Sequence, residues 1–179
     1  MLKKSKTTGT DLPGFTTPQL TALVILRVLI GWHFLYEGIV KLINPYWSAA
    51  GFLLESKGLF AGIFTSVVAS PTALQIVDFL NVWGLIAIGL GLILGCLTNI
   101  ASIAGMVLLF LYYICNPPFL GLKYTMPAEG SYLIVNKNLI ELFALLVLVF
   151  FPTGKIIGLD RLIFKQKITA IETVKIGGK

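Results

Sequence analysis

The sequence predicts an all-α membrane protein: a membrane four-helix bundle, with short interfacial or re-entrant helices in the loop between spans 1 and 2. Composition is the first reason. Of the 179 residues, 56% are hydrophobic and 12% are charged, whereas soluble domains have about 45–50% apolar and about 25% charged residues. The second reason is that four apolar segments approach the roughly 20 residues that cross the hydrocarbon core of a bilayer.

Each predicted span has local start or stop signals. The spans cover about 18–43, 73–97, 99–115 and 133–151. Pro18 lies in the first turn of span 1, where proline is tolerated, and Asn44-Pro45 ends that span. Spans 2 and 3 are separated by a tight turn, and Pro117 and Pro152 follow spans 3 and 4. We therefore expect one transmembrane domain over 18–152.

The segments outside the spans differ in character. Loop 44–72 is long and semi-apolar, and its glycines interrupt it too often for a span, so we expect two short helices at the membrane surface or dipping into it. Loop 116–132 then lies on the same side of the membrane. Residues 1–17 read as a polar tail, and residues 153–179 read as a basic, amphipathic tail on the inner leaflet.

Basic residues set the predicted orientation. The two tails carry nine lysines and arginines, whereas the two loops and their span ends carry four. Positive residues accumulate on the cytoplasmic side, so both termini are predicted to be cytoplasmic, in a bacterial cytoplasmic (inner) membrane. The net charge of +6 therefore gives no reason to expect nucleic acid as a partner. A single histidine and two cysteines, with no CxxC, exclude the usual zinc sites, and no flavin signature is evident.

Ionisable and amide side chains inside the spans define the candidate site. Such residues are costly in a membrane, and by default they face the bundle interior and mark a functional site. On span 1 they fall within an arc of about 120° at helical periodicity. His33 is expected near the middle of the membrane and Arg27 deeper, toward the cytoplasm, whereas the polar residues of spans 2 and 4 are expected in the outer half with Glu37 and Lys41. The candidate residues are Arg27, His33, Glu37, Lys41, Asp78, Asn81, Lys137, Asn138 and Glu141. The alternative is a set of buried pairs that only lock helix packing.

Three segments resemble the DoxX/DoxD family of small four-span membrane proteins: RVLIGWHFLYEGIVKLINPYW, SAAGFLLESKG and NKNLIELFALLVLVFFPTGKIIGLD. The resemblance covers most of residues 20–165 and is nearest to the DoxD branch, the membrane subunit of thiosulfate:quinone oxidoreductase. It implies a quinone-reactive subunit that passes electrons from a reduced sulfur compound to quinone, with a separate soluble subunit as partner. The positions that match are Arg27, His33, Glu37, Lys41, Asn138 and Glu141.

Two functions from different classes follow. In the first, His33 and Glu37 are catalytic and exchange protons with quinone oxygens. Cations from Arg27, Lys41 or Lys137 stabilise an anionic oxygen or sulfur substrate, and Asp78 and Glu141 orient those cations. Partners are then the lipid bilayer, quinone, and a second redox subunit or another copy of the chain. In the second, the chain is a non-catalytic scaffold or transport-associated subunit whose charges dock a partner or a small solute.

Overall fold

Helices make up the fold of the computed structural model, which describes residues 16–119, 122, 124 and 133–163. The helices are α1 (Thr17–Ile43), α2 (Ala50–Leu54), α3 (Ala61–Ala69), α4 (Pro71–Leu94), α5 (Thr98–Cys115) and α6 (Lys137–Phe150). No strand occurs among the described residues, so the all-α prediction is confirmed for them. Three helices, α1, α4 and α5, are long and apolar enough to cross a membrane, as in an integral membrane protein. Most of both predicted tails and of loop 116–132 lies outside the described residues.

Helix α1 begins and ends where its sequence signals predict. The backbone N–H of Thr16 donates to the side-chain oxygen of Gln19 at 3.0 Å, which satisfies one of the free groups at the helix start. Pro18 lies in the first turn. The N–H of Asn44 closes the last turn on the carbonyl of Val40, and Pro45 cannot continue the helix.

Glycines bring α1 and α4 into backbone contact. A Cβ atom at Gly89 would lie 2.5 Å from the backbone N of Leu35 and 2.7 Å from the carbonyl O of Gly31. Gly38 meets Leu85 and the backbone of Ile86 in the same way. This close approach, typical of membrane helices, makes α1–α4 the most extensive helix pair. Helix α5 packs mainly on α6, whereas α1 and α6 meet only locally; we call the line between them the α1–α6 seam.

Apolar side chains from all four long segments fill the centre. The core contains Ile30, Phe34, Leu85, Ile88, Leu92, Ala101, Leu109, Leu145 and Leu148. Leu92 and Leu145 are fully buried. The core runs along the bundle: Leu85 is level with Gly38, whereas Leu92 is level with Gly31. Its part around Ile30 and Leu92 lies between Arg27 and His33 of α1 and separates the two polar regions described below.

Helix α6 is shorter than span 4 was predicted to be. It begins only after Asn136, whose side chain accepts from the N–H of Leu139, and it has 14 residues. At 1.5 Å per residue it is about 21 Å long, below the roughly 30 Å of a hydrocarbon core. A fourth span would need the residues that flank the helix, so the four-span bundle stays a prediction.

The two short helices predicted in loop 44–72 are present as α2 and α3. Helix α2 packs against the end of α5: Ala49 and Leu53 form a small apolar cluster with Cys115. No residue of α3 is buried within the chain. Where these helices lie relative to the membrane surface stays a prediction.

Candidate functional site

His33 and Glu141 form the centre of the candidate site, where α1 and α6 meet. The ring Nδ1 of His33 lies 2.8 Å and 3.0 Å from the two carboxylate oxygens of Glu141. The His33 side chain is still 38% exposed, and that of Glu141 is 13% exposed. The other ring nitrogen, Nε2, has no hydrogen-bond partner among the described residues. Lys137 and Glu37 are close enough for their charges to act on the ring.

Glu37 and Lys41 continue this polar line along α1. The Nζ of Lys41 donates to Glu37 at 3.1 Å, and the carboxylate side chain is 43% exposed. The Lys41 amine also lies over two aromatic rings, 5.6 Å from the ring centroid of Trp47 and 5.9 Å from that of Tyr112. Such cation–π contacts hold the amine in place. We call His33, Glu37, Lys41, Lys137 and Glu141 the seam cluster.

Asn81 lies beside the seam cluster and pairs with Tyr112, a residue that the sequence prediction did not include in the site. The Nδ2 of Asn81 donates to the Tyr112 hydroxyl at 2.6 Å. The Oδ1 of this buried amide has no partner among the described residues. The Tyr112 ring packs edge-on against Phe52 of α2. Tyr112 therefore joins α4, α5 and the loop above the site; its sequence signal was only an aromatic residue near a span end.

Asp78 holds the loop and makes no contact with His33 or Glu141 among the hydrogen bonds and ion pairs of the described residues. Its Oδ1 accepts from the backbone N–H of Ala49 at 2.8 Å, at the start of α2. Ala49 has no side chain that could cap the helix, so the carboxylate supplies the acceptor that a helix start needs.

Arg27 lies apart from the seam cluster, at the opposite end of the apolar core. It is 3% exposed, and its Nη1 and Nη2 donate to the Thr153 hydroxyl at 3.1 Å and to the carbonyl of Ile157 at 2.9 Å. The charge of Asp160 also acts on it. Arg27 was predicted to bind substrate or quinone together with the outer residues; the structure does not bring it to them.

Asp160 completes this second polar region, and the sequence prediction did not include it. Its carboxylate accepts from the N–H of Leu97 at 2.6 Å and of Thr98 at 3.0 Å, and from the Thr98 hydroxyl. Leu97 is an apolar residue in the left-handed region at the start of α5, so Asp160 caps that helix from a distance. We call Arg27, Thr98, Thr153 and Asp160 the latch. Residues 153–160, predicted as the start of a tail, pack onto the bundle.

The two remaining candidates lie on the first turn of α6. Lys137 is exposed and Asn138 is half-buried. The charge of Lys137 acts on His33, whereas the side chain of Asn138 makes no hydrogen bond with the described residues. The structure thus brings together His33, Glu37, Lys41, Lys137 and Glu141, places Asn81 beside them, and leaves Arg27 and Asp78 in separate contacts.

The geometry of the seam cluster suits proton transfer. A carboxylate that holds one nitrogen of an imidazole fixes the orientation of the ring, and the second nitrogen can then give or take a proton.

Within the described ranges, no group of three or more His, Cys, Asp or Glu side chains is placed to hold a metal ion. No protein-family model matches the chain, and no curated protein or solved structure matches it either.

Proposed function

We propose that the chain is the membrane subunit of a quinone-linked oxidoreductase, with its site at the α1–α6 seam in the extracytoplasmic half of a four-span bundle. The observation that carries the proposal is His33, which is oriented by Glu141 through Nδ1 and open at Nε2. A ligand that diffuses in the bilayer and takes up protons when it is reduced fits a proton-exchanging group that faces a seam between membrane helices. The resemblance of three segments to the DoxX/DoxD family supports quinone as that ligand.

The reaction gives each seam residue a role. Reduction of a quinone to a quinol takes two electrons and two protons. His33 supplies a proton to one ligand oxygen, and Glu37, one helical turn away, supplies the second. The amines of Lys41 and Lys137 stabilise negative charge on an oxygen before it is protonated. The electrons come from a reduced sulfur compound that is oxidised in the same turnover, directly or through a second redox subunit.

The contacts of Arg27 and Asp78 favour structural roles for these two residues. Arg27 is enclosed in the latch, and Asp78 caps α2. The proposed ligand site is therefore smaller than the sequence prediction and comprises the seam cluster, with Asn81 and Asn138 beside it. Tyr112 is added as the residue that positions Asn81.

Hydrogen bonds after α6 support the four-span topology. The N–H groups of Leu159 and Asp160 donate to the carbonyls of Leu94 at 3.1 Å and Gly95 at 2.8 Å. The chain after α6 therefore returns to the end of the bundle that holds the α4–α5 turn, as expected if α6 and its flanks cross the membrane. Together with the basic residues of the two tails, this supports cytoplasmic termini in a bacterial inner membrane.

Quinone binding and reduction by the purified protein test the proposal. The protein in lipid nanodiscs would be titrated with a short-chain quinone, and quinol formation followed with a panel of reduced sulfur donors. His33→Gln should lower turnover about 100-fold or more, as loss of a general acid–base group does. Glu141→Gln, which removes the carboxylate that orients the His33 ring, should also lower turnover, and both variants should keep the helical circular dichroism. Glu55→Gln, a carboxylate in the loop, is the matched control. Normal turnover in both seam variants would refute the proposal.

The alternative, a scaffold or transport-associated subunit, is favoured by one observation: Arg27, Asp78 and Lys41 all have partners within the chain. The lipid extract of the purified protein separates the two. A quinone recovered in stoichiometric amount from wild type, and lost in His33→Gln, supports the oxidoreductase. Extracts without quinone, together with a co-purifying membrane chain, support the scaffold.

A further inference from the structure

We infer that the His33–Glu141 pair exchanges protons with one side of the membrane only, the side of the α2 loop, through a hydrated path along α1. This inference goes beyond the proposed function. Its biological role rests on the proposed function, whereas the contacts and exposures that support it do not. The inference depends on what lies on each side of the pair along the bundle.

A line of ionisable groups leads from the pair toward the loop. His33, Glu37 and Lys41 follow one another at intervals of one turn, a rise of about 6 Å each. The side chains of His33 and Glu37 are 38% and 43% exposed. A carboxylate that faced hydrocarbon would be strongly destabilised, so water fills the space that these side chains face whenever no ligand or partner chain occupies it.

The loop end of this line meets polar and aromatic side chains rather than an apolar core. Lys41 donates to Glu37 and lies over the rings of Trp47 and Tyr112. The charge of Glu37 also acts on Tyr112. Just beyond Lys41, the loop residue Tyr46 is 94% exposed. Protons can therefore pass between the pair and the aqueous phase at the loop through groups that bind and release them.

On the opposite side of the pair, toward the α4–α5 turn, the bundle is filled first by apolar side chains and then by the latch. Ile30, Leu92 and Leu145 are between 0% and 6% exposed and form part of the apolar core. Leu92 packs at Gly31, between His33 and Arg27. Behind that core lies the latch, in which Arg27 and Asp160 are 3% and 2% exposed. Between the pair and the latch, no described residue of α1, α4, α5 or α6 carries an ionisable side chain.

The proton balance follows from this arrangement. The charged groups that face His33 are Glu141 and Lys137 on α6 and Glu37 on its own helix. Protons bound by a quinone at this pair come from the loop side, and protons released by a quinol go there. In the predicted orientation that side is extracytoplasmic, so quinone reduction removes protons from that side and quinol oxidation releases protons there.

Cysteine accessibility tests the sidedness. In a Cys96→Ser background, Glu37→Cys and His33→Cys would each be treated with a membrane-impermeant methanethiosulfonate in right-side-out and inside-out vesicles. Tyr46→Cys and Leu162→Cys, exposed at the two ends, report which side the reagent reaches. Tyr36→Cys is the matched control, because Tyr36 is exposed beside Glu37 in the sequence but lies on the face of Leu29 and Trp32. Buried Cys115 gives the background.

We expect Glu37→Cys to react from the loop side at least about tenfold faster than Tyr36→Cys, because only a thiolate reacts and hydrocarbon suppresses its formation. His33→Cys should react from the same side, and neither should react from the Leu162 side. Reaction from both sides, or a rate equal to that of Tyr36→Cys, would overturn the inference. If quinone binds but access is not one-sided, this inference fails alone; if access is one-sided but quinone does not bind, the proposed function fails alone.

Discussion

Replacing Arg27 by methionine tests whether the latch holds the fold together. The side chain keeps its length, and two hydrogen bonds are lost: those to the Thr153 hydroxyl at 3.1 Å and to the Ile157 carbonyl at 2.9 Å. Hydrogen bonds to charged groups contribute about 1.5–3 kcal/mol each. The buried Nε of Arg27 has no partner among the described residues, so its removal relieves part of this loss. The net cost should be about 3 kcal/mol.

Asp160 explains why the cost should not be larger. Removing one member of a buried charged pair costs about 3–5 kcal/mol when the other charge is left uncompensated. Asp160 keeps its bonds from Leu97 and Thr98, so its charge stays solvated by the helix start. Asp160→Asn should be similarly destabilising. Both carboxylate oxygens of Asp160 accept from backbone N–H groups, and the NH₂ group of asparagine would place a donor against one of those N–H donors. The double variant should cost less than the sum of the two, since the sites interact.

Thermal unfolding in nanodiscs, followed by tryptophan fluorescence and by thiol labelling of Cys96 and Cys115, measures the effect. For a chain of this size, about 3 kcal/mol corresponds to a decrease in Tm of roughly 6–12 °C. Arg161→Met is the matched control, since this exposed cation lies on the same segment and should change stability by less than about 0.5 kcal/mol. Equal Tm values for wild type and Arg27→Met would refute the reasoning, as would an equally large decrease in the control.

Three further predictions concern single contacts. Gly89→Ala should separate α1 from α4 and cost at least about 2 kcal/mol in a denaturant titration, whereas Gly84→Ala, which meets open space, should be neutral or stabilise by up to about 1 kcal/mol. Asp78→Ala should cost about 1 kcal/mol and speed hydrogen exchange in α2 but not in α4; unchanged exchange in α2 would contradict it. Tyr112→Phe should cost about 1–3 kcal/mol because it leaves a buried amide unpaired, and Tyr113→Phe, whose hydroxyl bonds an exposed carbonyl, should cost less.

Local signals explain which parts of the fold could be predicted from the sequence. Span 1 was predicted over 18–43, and α1 is Thr17–Ile43, because a proline in the first turn and Asn44-Pro45 act on the adjacent backbone. Span 4 was predicted from 133, but α6 begins at Lys137. Hydrophobicity marks an apolar segment without marking where its backbone becomes helical; here the capping side chain of Asn136 sets the start.

Contacts between distant segments could not be predicted in the same way. Helical periodicity placed Arg27 on one face with His33, but it could not show that residues 153–160 would fold back onto Arg27. One signal was available. Helices α2 and α5 begin behind Ala49 and Leu97, which carry no capping group. A helix start with too few local acceptors implies a distant one. Ser48 accepts from the N–H of Ala50 in α2, and Asp78 and Asp160 supply the distant acceptors.

Burial divides the ionisable residues inside the bundle into two kinds. Arg27 and Asp160 are 3% and 2% exposed, and nearly all their polar atoms are hydrogen-bonded within the chain. These two side chains therefore need no water or ligand beside them. The side chains of His33 and Glu37 are 38% and 43% exposed, at a depth where contact with hydrocarbon would be costly. These two are stable there only with water, a ligand or a partner chain beside them. The seam cluster therefore requires an occupant that the latch does not, and this difference in exposure, rather than the presence of charge, locates the candidate site.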